Sequence, residues 1–264
     1  MGNFMPQEKR AAIRSAVLRS AALLFLTDGY AKTTLNRISR HSGVQISAIN
    51  REFQGKGNIL CALIDQAVNG QFSMARELMA GVSDGVLYYA LDTALQLHIT
   101  ESSPAIRELY ITAYLLPETM EHIRRSVVAR LIKPSFSPYL PGAADEEFYL
   151  LNVVTSGIIL SHMSTACSGG FTITDKTRRY LDASLRVYRV PEEKIQEAVA
   201  FTQRFDLPAV ARQTVQTVID ALEDLPGGQM NRTNSDEGPP SPRAAGRPAA
   251  FPKVKSLSQK GATS

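Results

Sequence analysis

Cysteine is scarce in this 264-residue sequence: only Cys61 and Cys167 occur, too few and too far apart for a disulfide framework or a zinc site. Both fall in stretches that read as helices, and a reducing, cytoplasmic setting is expected. Long apolar runs are missing too. None reaches the roughly 18 residues needed to span a bilayer, and Arg19 interrupts the one N-terminal apolar stretch that could mimic a signal peptide. The N-terminal Met-Gly is followed at position 6 by Pro6, where myristoylation requires Ser or Thr, so no membrane association is expected. The histidines, His41, His98, His122 and His162, show no paired ligand spacing; only Glu118 and His122 share a helix face, at i and i+4. Neither metal nor cofactor is expected. One catalytic string occurs, Gly81-Val82-Ser83-Asp84-Gly85, which fits G-x-S-x-G. That motif needs a buried strand before its serine, whereas a helical pattern precedes it here and Ser83 or Asp84 can serve as an N-cap. No catalytic residue is assigned, and an enzyme is not expected.

What is present is helical periodicity from end to end, with no competing strand pattern, in a chain whose 44% hydrophobic content suffices for a substantial core. Charge divides the chain. Residues 1–56 hold nine Lys or Arg against three Asp or Glu, residues 57–224 fourteen against twenty, and residues 225–264 six against two. A basic N-terminal part and an acidic body suit a protein that presents one end to nucleic acid.

The sharpest local pattern lies in TTLNRISRHSGVQISAINREFQGKGNIL, residues 33–60. Thr34 can cap a two-turn helix, with Leu35, Ile38 and Ser42 on one face. Gly43 supplies a sharp turn, and Val44 and Ile49 point inward from a second short helix. Gln45, Ile46, Ser47, Ala48, Asn50 and Arg51 are left outward, small or hydrogen-bonding side chains of the kind that enter a major groove. Upstream, Ile13, Val17, Ala21, Leu24 and Phe25 recur at helical spacing from about residue 8 to Thr27, and Asp28-Gly29-Tyr30 stops that helix. Lys56 stands at the mouth of a further helix, where free amides and an ammonium would together attract a phosphate.

The succession LLFLTDGY, TTLNRIS, HSGV, AINREF and GKGNIL, over roughly residues 10–63, resembles the N-terminal domain of TetR-type transcriptional regulators. The resemblance implies an all-α protein in which an N-terminal three-helix helix-turn-helix domain, 1–56, precedes a larger helical ligand-binding and dimerisation domain, 57–224. It implies a DNA-binding regulator, a repressor released from a near-palindromic operator by a small-molecule effector. An activator or a nucleoid or division factor of the same fold is the alternative. The side chains expected at double-stranded DNA are Thr34, Arg37, Gln45, Ile46, Ser47, Asn50, Arg51 and Lys56; Arg40 could equally be a solvated arginine. The family pattern usually carries tyrosine at Asn50, a smaller residue at Ser47, and a capping serine or asparagine at Gly55.

From Ile59 one long helix runs to about Ala80. Helices are predicted at about 84–100, 103–115 and 117–132, then a proline-bearing connector from Lys133 to Ala144, then helices at about 145–167, 174–188, 191–204 and 207–224. Residues 225–264 carry Pro239, Pro240, Pro242, Pro248 and Pro252 among Gly, Ser, Ala and basic residues, the composition of a disordered tail. An effector pocket is expected among Tyr88, His98, Arg107, Tyr110, Tyr114, Met120, His122 and Met163; Arg107 could instead pair with Glu101, Glu108 or Asp92. Homodimerisation is expected through Val153, Val154, Ile158 and Ile159 beside Gly157 and Ser161, together with the stripe Val210, Val215, Val218, Ile219 and Leu222.

Overall fold

Val17, Leu18, Ala21, Leu24 and Phe25 fall on one side of α1 (Gln7–Asp28), and all five are buried. The computed structural model describes residues 7–223; the tail predicted at 225–264 lies outside the described residues. Thr34 caps α2 (Leu35–Ser42) by accepting the Arg37 N–H, and Gly43, at φ 69, turns the chain toward α3 (Ile46–Phe53). α4 (Lys56–Leu78) then leaves this unit as a single 23-residue rod. Its first half, Ile59, Leu60, Leu63 and Ile64, packs in one apolar cluster with α1–α3; Phe72 in its second half belongs to the cluster of the larger bundle. The smaller cluster also takes Ala113 and Ile123 from that bundle, so the two parts share buried surface.

The larger bundle is built around α5 (Gly85–Glu101). Nearly every residue of α5 from Val86 to Thr100 is buried, with Tyr88 and His98 partly exposed, the mark of a helix enclosed on all sides. α6 (Pro104–Leu115) and α7 (Pro117–Val127) begin with the prolines expected in their first turns. After α9 (Asp145–Ser164) come α10 (Ile173–Val187), opened by a Thr172–Asp175 capping box, α11 (Glu192–Thr202) and α12 (Leu207–Glu223). Among the described residues the only β pairing is an isolated bridge between Ser168 and Phe171.

Three expectations need correction. The connector from Lys133 is not irregular at its start. α7 widens into a π turn at Val128–Ile132 that runs straight into α8 (Lys133–Phe136) and a 3-10 turn, Ser137–Tyr139. Pro134 explains it: proline offers no N–H to the carbonyl four residues back and its ring crowds that carbonyl, and a π turn relieves both. Cys167 lies beyond the end of α9, in the link to α10. The apolar stripe of α12 is turned inward: Val215 packs on the larger cluster and Val218 on the smaller, leaving Arg212, Gln213, Gln216 and Thr217 exposed.

The Gly81–Gly85 string joins α4 to α5, and the Asp84 carboxylate caps α5 by accepting the Leu87 N–H at 3.0 Å. With a helix on both sides of Ser83, these residues make a helix boundary. Gly85 is needed there because a Cβ at this position would lie 2.6 Å from the Ser135 Cα of α8. Gly85→Ala is expected to cost about 2 kcal/mol, in the range of overpacked sites, measured as a shift in the urea midpoint at unchanged m-value.

Candidate functional site

Ion pairs, a cation–ring contact and buried apolar side chains hold α3 from behind. Arg10 and Arg14 of α1 both pair with Glu52, at 2.6 and 3.3 Å, and the Arg14 guanidinium also lies 5.0 Å from the centroid of the Phe53 ring. Ile49 is fully buried and Phe53 nearly so. Between α2 and α3, the Ser39 hydroxyl donates to the Val44 carbonyl at 2.6 Å, and the Val44 N–H donates to Ser42 Oγ at 3.2 Å. The turn is therefore pinned by side chains as well as by Gly43, and the outer side chains Gln45, Ile46, Ser47, Asn50 and Arg51 are all exposed. That combination, a rigid short helix with a free polar face, is the geometry groove reading requires.

The phosphate-binding candidates divide. Thr34 is exposed, and its oxygen is committed to the cap of α2 while its O–H remains to donate. Arg37 is half-exposed and ion-paired to Asp28 at the end of α1, so only part of its donor fork is free. Lys56 is more deeply engaged: Nζ donates to the Tyr30 and Thr33 carbonyls at 2.8 and 2.9 Å and lies 4.0 Å from the centroid of the Tyr30 ring. Burial lowers its pKa below the ordinary lysine value. Lys56 thus clamps the loop before α2 onto the start of α4, with one N–H left over. Gly55, at φ 151, offers no side chain to accept an amide of the first turn of α4, while Asn58 ties this turn back to α3, its Nδ2 donating to the Phe53 carbonyl at 2.7 Å.

Among the described residues, no carboxylate lies within 4.0 Å of Lys32, Arg40 or Arg51, and all three are exposed. Lys32 does not stand out in the sequence because it lies in the loop ahead of α2; its one signal is that it immediately precedes the Thr33-Thr34 pair that leads into the cap. Buried Thr33 anchors this loop by donating to the Leu24 and Gly29 carbonyls.

The side chains expected to wall an effector pocket do not converge. His122 pairs with Asp65 at 3.0 Å on the surface of α4. Arg107 pairs with Glu101 at 2.6 Å. His98 borders a groove of about 220 Å³ near Thr177 and Phe205, and burial lowers its pKa to about 4. Tyr110 lies in a wholly different, apolar cavity of about 100 Å³ where α1, α4, α6 and α12 meet. Tyr88 donates to the Phe72 carbonyl at 3.3 Å. Only Tyr114 lines the polar interior of the bundle, with Met163 beside it: Gln96 Nε2 donates to Tyr114 Oη at 3.0 Å and to the Met163 sulfur at 3.6 Å. The scatter has a simple cause. Sequence distance along separate helices does not reveal which faces meet.

That polar interior centres on residues absent from the expected pocket set. Asp92 and Gln71 are buried and line a cavity of about 30 Å³ with Thr93, Gln96, Asn152 and Ser156. Burial raises the Asp92 carboxyl to about 7, although the hydrogen bond from Gln71 opposes this. The available signal is a carboxylate within VLYYALDTALQLHIT, an otherwise apolar run with no room for a polar face.

Residues 17–63 match the model of the bacterial regulatory proteins of the tetR family. Among solved structures the chain is similar to AmtR of Mycobacterium smegmatis, at 20% identity over 76% of this chain and 95% of that one, with a TM-score of 0.39. No curated protein matches.

Proposed function

We propose, starting from the tetR family of bacterial regulatory proteins to which residues 17–63 assign this DNA-binding regulator, that the chain is a homodimeric repressor of a near-palindromic operator. The observation that carries the reading is the exposed outer face of α3, held from behind by Glu52, Ile49 and Phe53. Gln45, Ser47, Asn50 and Arg51 read or position, and Thr34, Arg37 and the remaining N–H of Lys56 meet phosphates. Lys32 and Arg40 add unpaired charge at the same end.

Dimerisation rests on α9. Leu150, Val153 and Val154 are 52, 40 and 51% exposed, and exposed Gly157 and Ser161 continue the same face. Small residues there allow close approach of a symmetry mate. Val210, Val215 and Val218 of the α12 stripe are partly buried within the subunit, so the reading rests the interface chiefly on α9. A two-fold dimer of this kind sets its recognition helices about 34 to 36 Å apart, one turn of DNA. In the domain division this implies, 1–56 reads DNA and 57–224 binds the effector and dimerises; α4 connects them mechanically, since one rod carries both Lys56 and Gln71. An effector that favours one arrangement of the bundle then shifts operator affinity, and DNA shifts effector affinity equally.

A second reading is favoured by the size of the polar cavity: about 30 Å³ holds one or two waters, as expected of a regulator of this fold without a small-molecule inducer. Selection of bound fragments from the source genome, repeated with candidate ligands, separates the two. Enrichment of related palindromic sites that ligand abolishes supports the first reading; sites indifferent to every ligand support the second.

Two substitutions separate reading from holding. Arg51→Ala is expected to change which fragments are selected, with stability within about 0.5 kcal/mol of the parent. Lys56→Ala is expected to weaken all fragments alike, to lower the slope of log K against log salt by about one phosphate's share, and to cost about 1 to 2 kcal/mol of stability through its lost carbonyl contacts. Anisotropy titrations across salt together with urea denaturation measure both. An unchanged slope beside a lowered midpoint would reduce Lys56 to a clamp.

A further inference from the structure

An enclosed helix ordinarily carries apolar side chains, and a polar group within it must find partners. α5 departs from this at Asp92, which is 2% exposed. Its Oδ2 accepts from Gln71 Nε2 at 3.0 Å, but among the described residues neither Asp92 Oδ1 nor Gln71 Oε1 has a hydrogen-bond partner. Both side chains line the cavity between α4, α5 and α9. Arg130, whose charge reaches Asp92, makes no hydrogen bond to it: the side chain is exposed, bonded to Asn69 at 2.6 Å, with its guanidinium 4.3 Å from the centroid of the Phe72 ring.

Two unpartnered acceptors, one of them a carboxylate, ask for a donor with several N–H groups and a positive charge. An anion would meet Asp92 with repulsion, and an alcohol offers a single donor. An ammonium or amidinium offers at least three. The remaining walls suit it as well, since Phe72, Tyr89 and Tyr180 border the same cavity and aromatic rings attract a cation and its hydrocarbon. Resting on the reading of the larger bundle as an effector domain, we propose that this cavity binds the head group of a small organic cation, an amine or amidine, whose N–H groups are taken by Asp92 Oδ1 and Gln71 Oε1.

The cavity of about 30 Å³ accommodates the head group but not a carbon tail. The tail must part the walls, and one wall is α4. Binding and displacement of α4 are then a single event, which gives the effector the differential affinity for two arrangements that any switch requires.

The test uses the full chain without DNA, titrated calorimetrically with phenethylamine, with the neutral 3-phenyl-1-propanol and with the anionic 3-phenylpropionate at millimolar concentrations. Phenethylamine is expected to bind at least about tenfold more tightly than either, as one charge-assisted hydrogen bond to a buried carboxylate would give. Asp92→Asn and Asp92→Leu are each expected to erase that preference, with circular dichroism showing both folded. Equal binding of the three probes, no binding of phenethylamine, or a preference retained in both variants would overturn the proposal. Selection of bound genomic fragments runs in parallel. Enrichment of related sites beside absent amine preference refutes the cation site alone, and failure to enrich any site refutes the regulator reading instead.

Discussion

Asp92→Asn is expected to raise the melting temperature at pH 8 and to leave it nearly unchanged at pH 4. The folded carboxyl sits at about 7 against an ordinary 3.8, because burial disfavours its charge more than Gln71 supports it. Folding therefore takes up protons on this group between those values. The contribution of Asp92 is most favourable below pH 4, declines as pH rises toward 7, and stays at its least favourable above that. At about 1.4 kcal/mol for each pH unit between the two values, holding the ionised carboxylate inside the fold costs about 4 kcal/mol as an upper limit. Asparagine keeps the shape and the bond to Gln71 but has no charge to bury. In a bundle of this size, about 4 kcal/mol corresponds to a rise of roughly 8 to 16 °C at most, and thermal melts of both proteins at pH 4, 6 and 8 measure it. Parallel curves at all three would mean that Asp92 is not the buried acid described.

Glu101→Gln is expected to act in the opposite direction and strongly, destabilising by about 3 to 5 kcal/mol at neutral pH. Lys176 is completely buried. Its ammonium donates to Glu101 and to the Thr165 carbonyl, with the Phe171 ring 5.8 Å away. Glu101 also receives Arg107 at 2.6 Å, so one carboxylate at the end of α5 joins α6, α10 and the segment after α9. Removing its charge leaves a buried ammonium without a counter-ion, the costly way to break such a pair. Arg107→Ala should be far milder, because Lys176 still neutralises Glu101. The sign with pH follows from the lowered Glu101 pKa: burial raises it, but the hydrogen bond and charge of Lys176 outweigh that. The stabilisation is present above the ordinary value of 4.5 and lost as pH falls through the folded value. Urea midpoints from pH 3 to pH 7 should show a steep acid loss in the parent and a flattened one in Glu101→Gln. Equal effects of the Glu101 and Arg107 substitutions would contradict this assignment.

The helix-turn-helix is legible in the sequence because its determinants are local. A capping threonine, a left-handed glycine and two short apolar periods lie within twenty residues of one another, and α2 and α3 form where those signals stand. Helix ends in the larger bundle are legible for the same reason, through Pro104, Pro117 and the Gly81–Gly85 break. Facing is not. Gln71 meets Asp92 from 21 positions away, and Lys176 meets Glu101 from 75, and no period within one helix reports that. The stripe of α12 shows the same limit: its spacing reveals an apolar face but not that α4 and α5 cover it. Lys56 illustrates a subtler one. Its position at a helix mouth suggests a phosphate ligand, yet the carbonyls of Tyr30 and Thr33, brought back by the loop before α2, reach its ammonium first.

The central claim, that α3 reads DNA within a two-fold dimer, is tested most directly by a hydroxyl-radical footprint of the full chain on a fragment selected from the source genome. Two symmetric protected segments are expected, their centres about one helical turn apart, both lost together on Arg51→Ala at protein concentrations that saturate the parent complex. A single unsymmetrical footprint, or a symmetrical one untouched by Arg51→Ala, would contradict the claim.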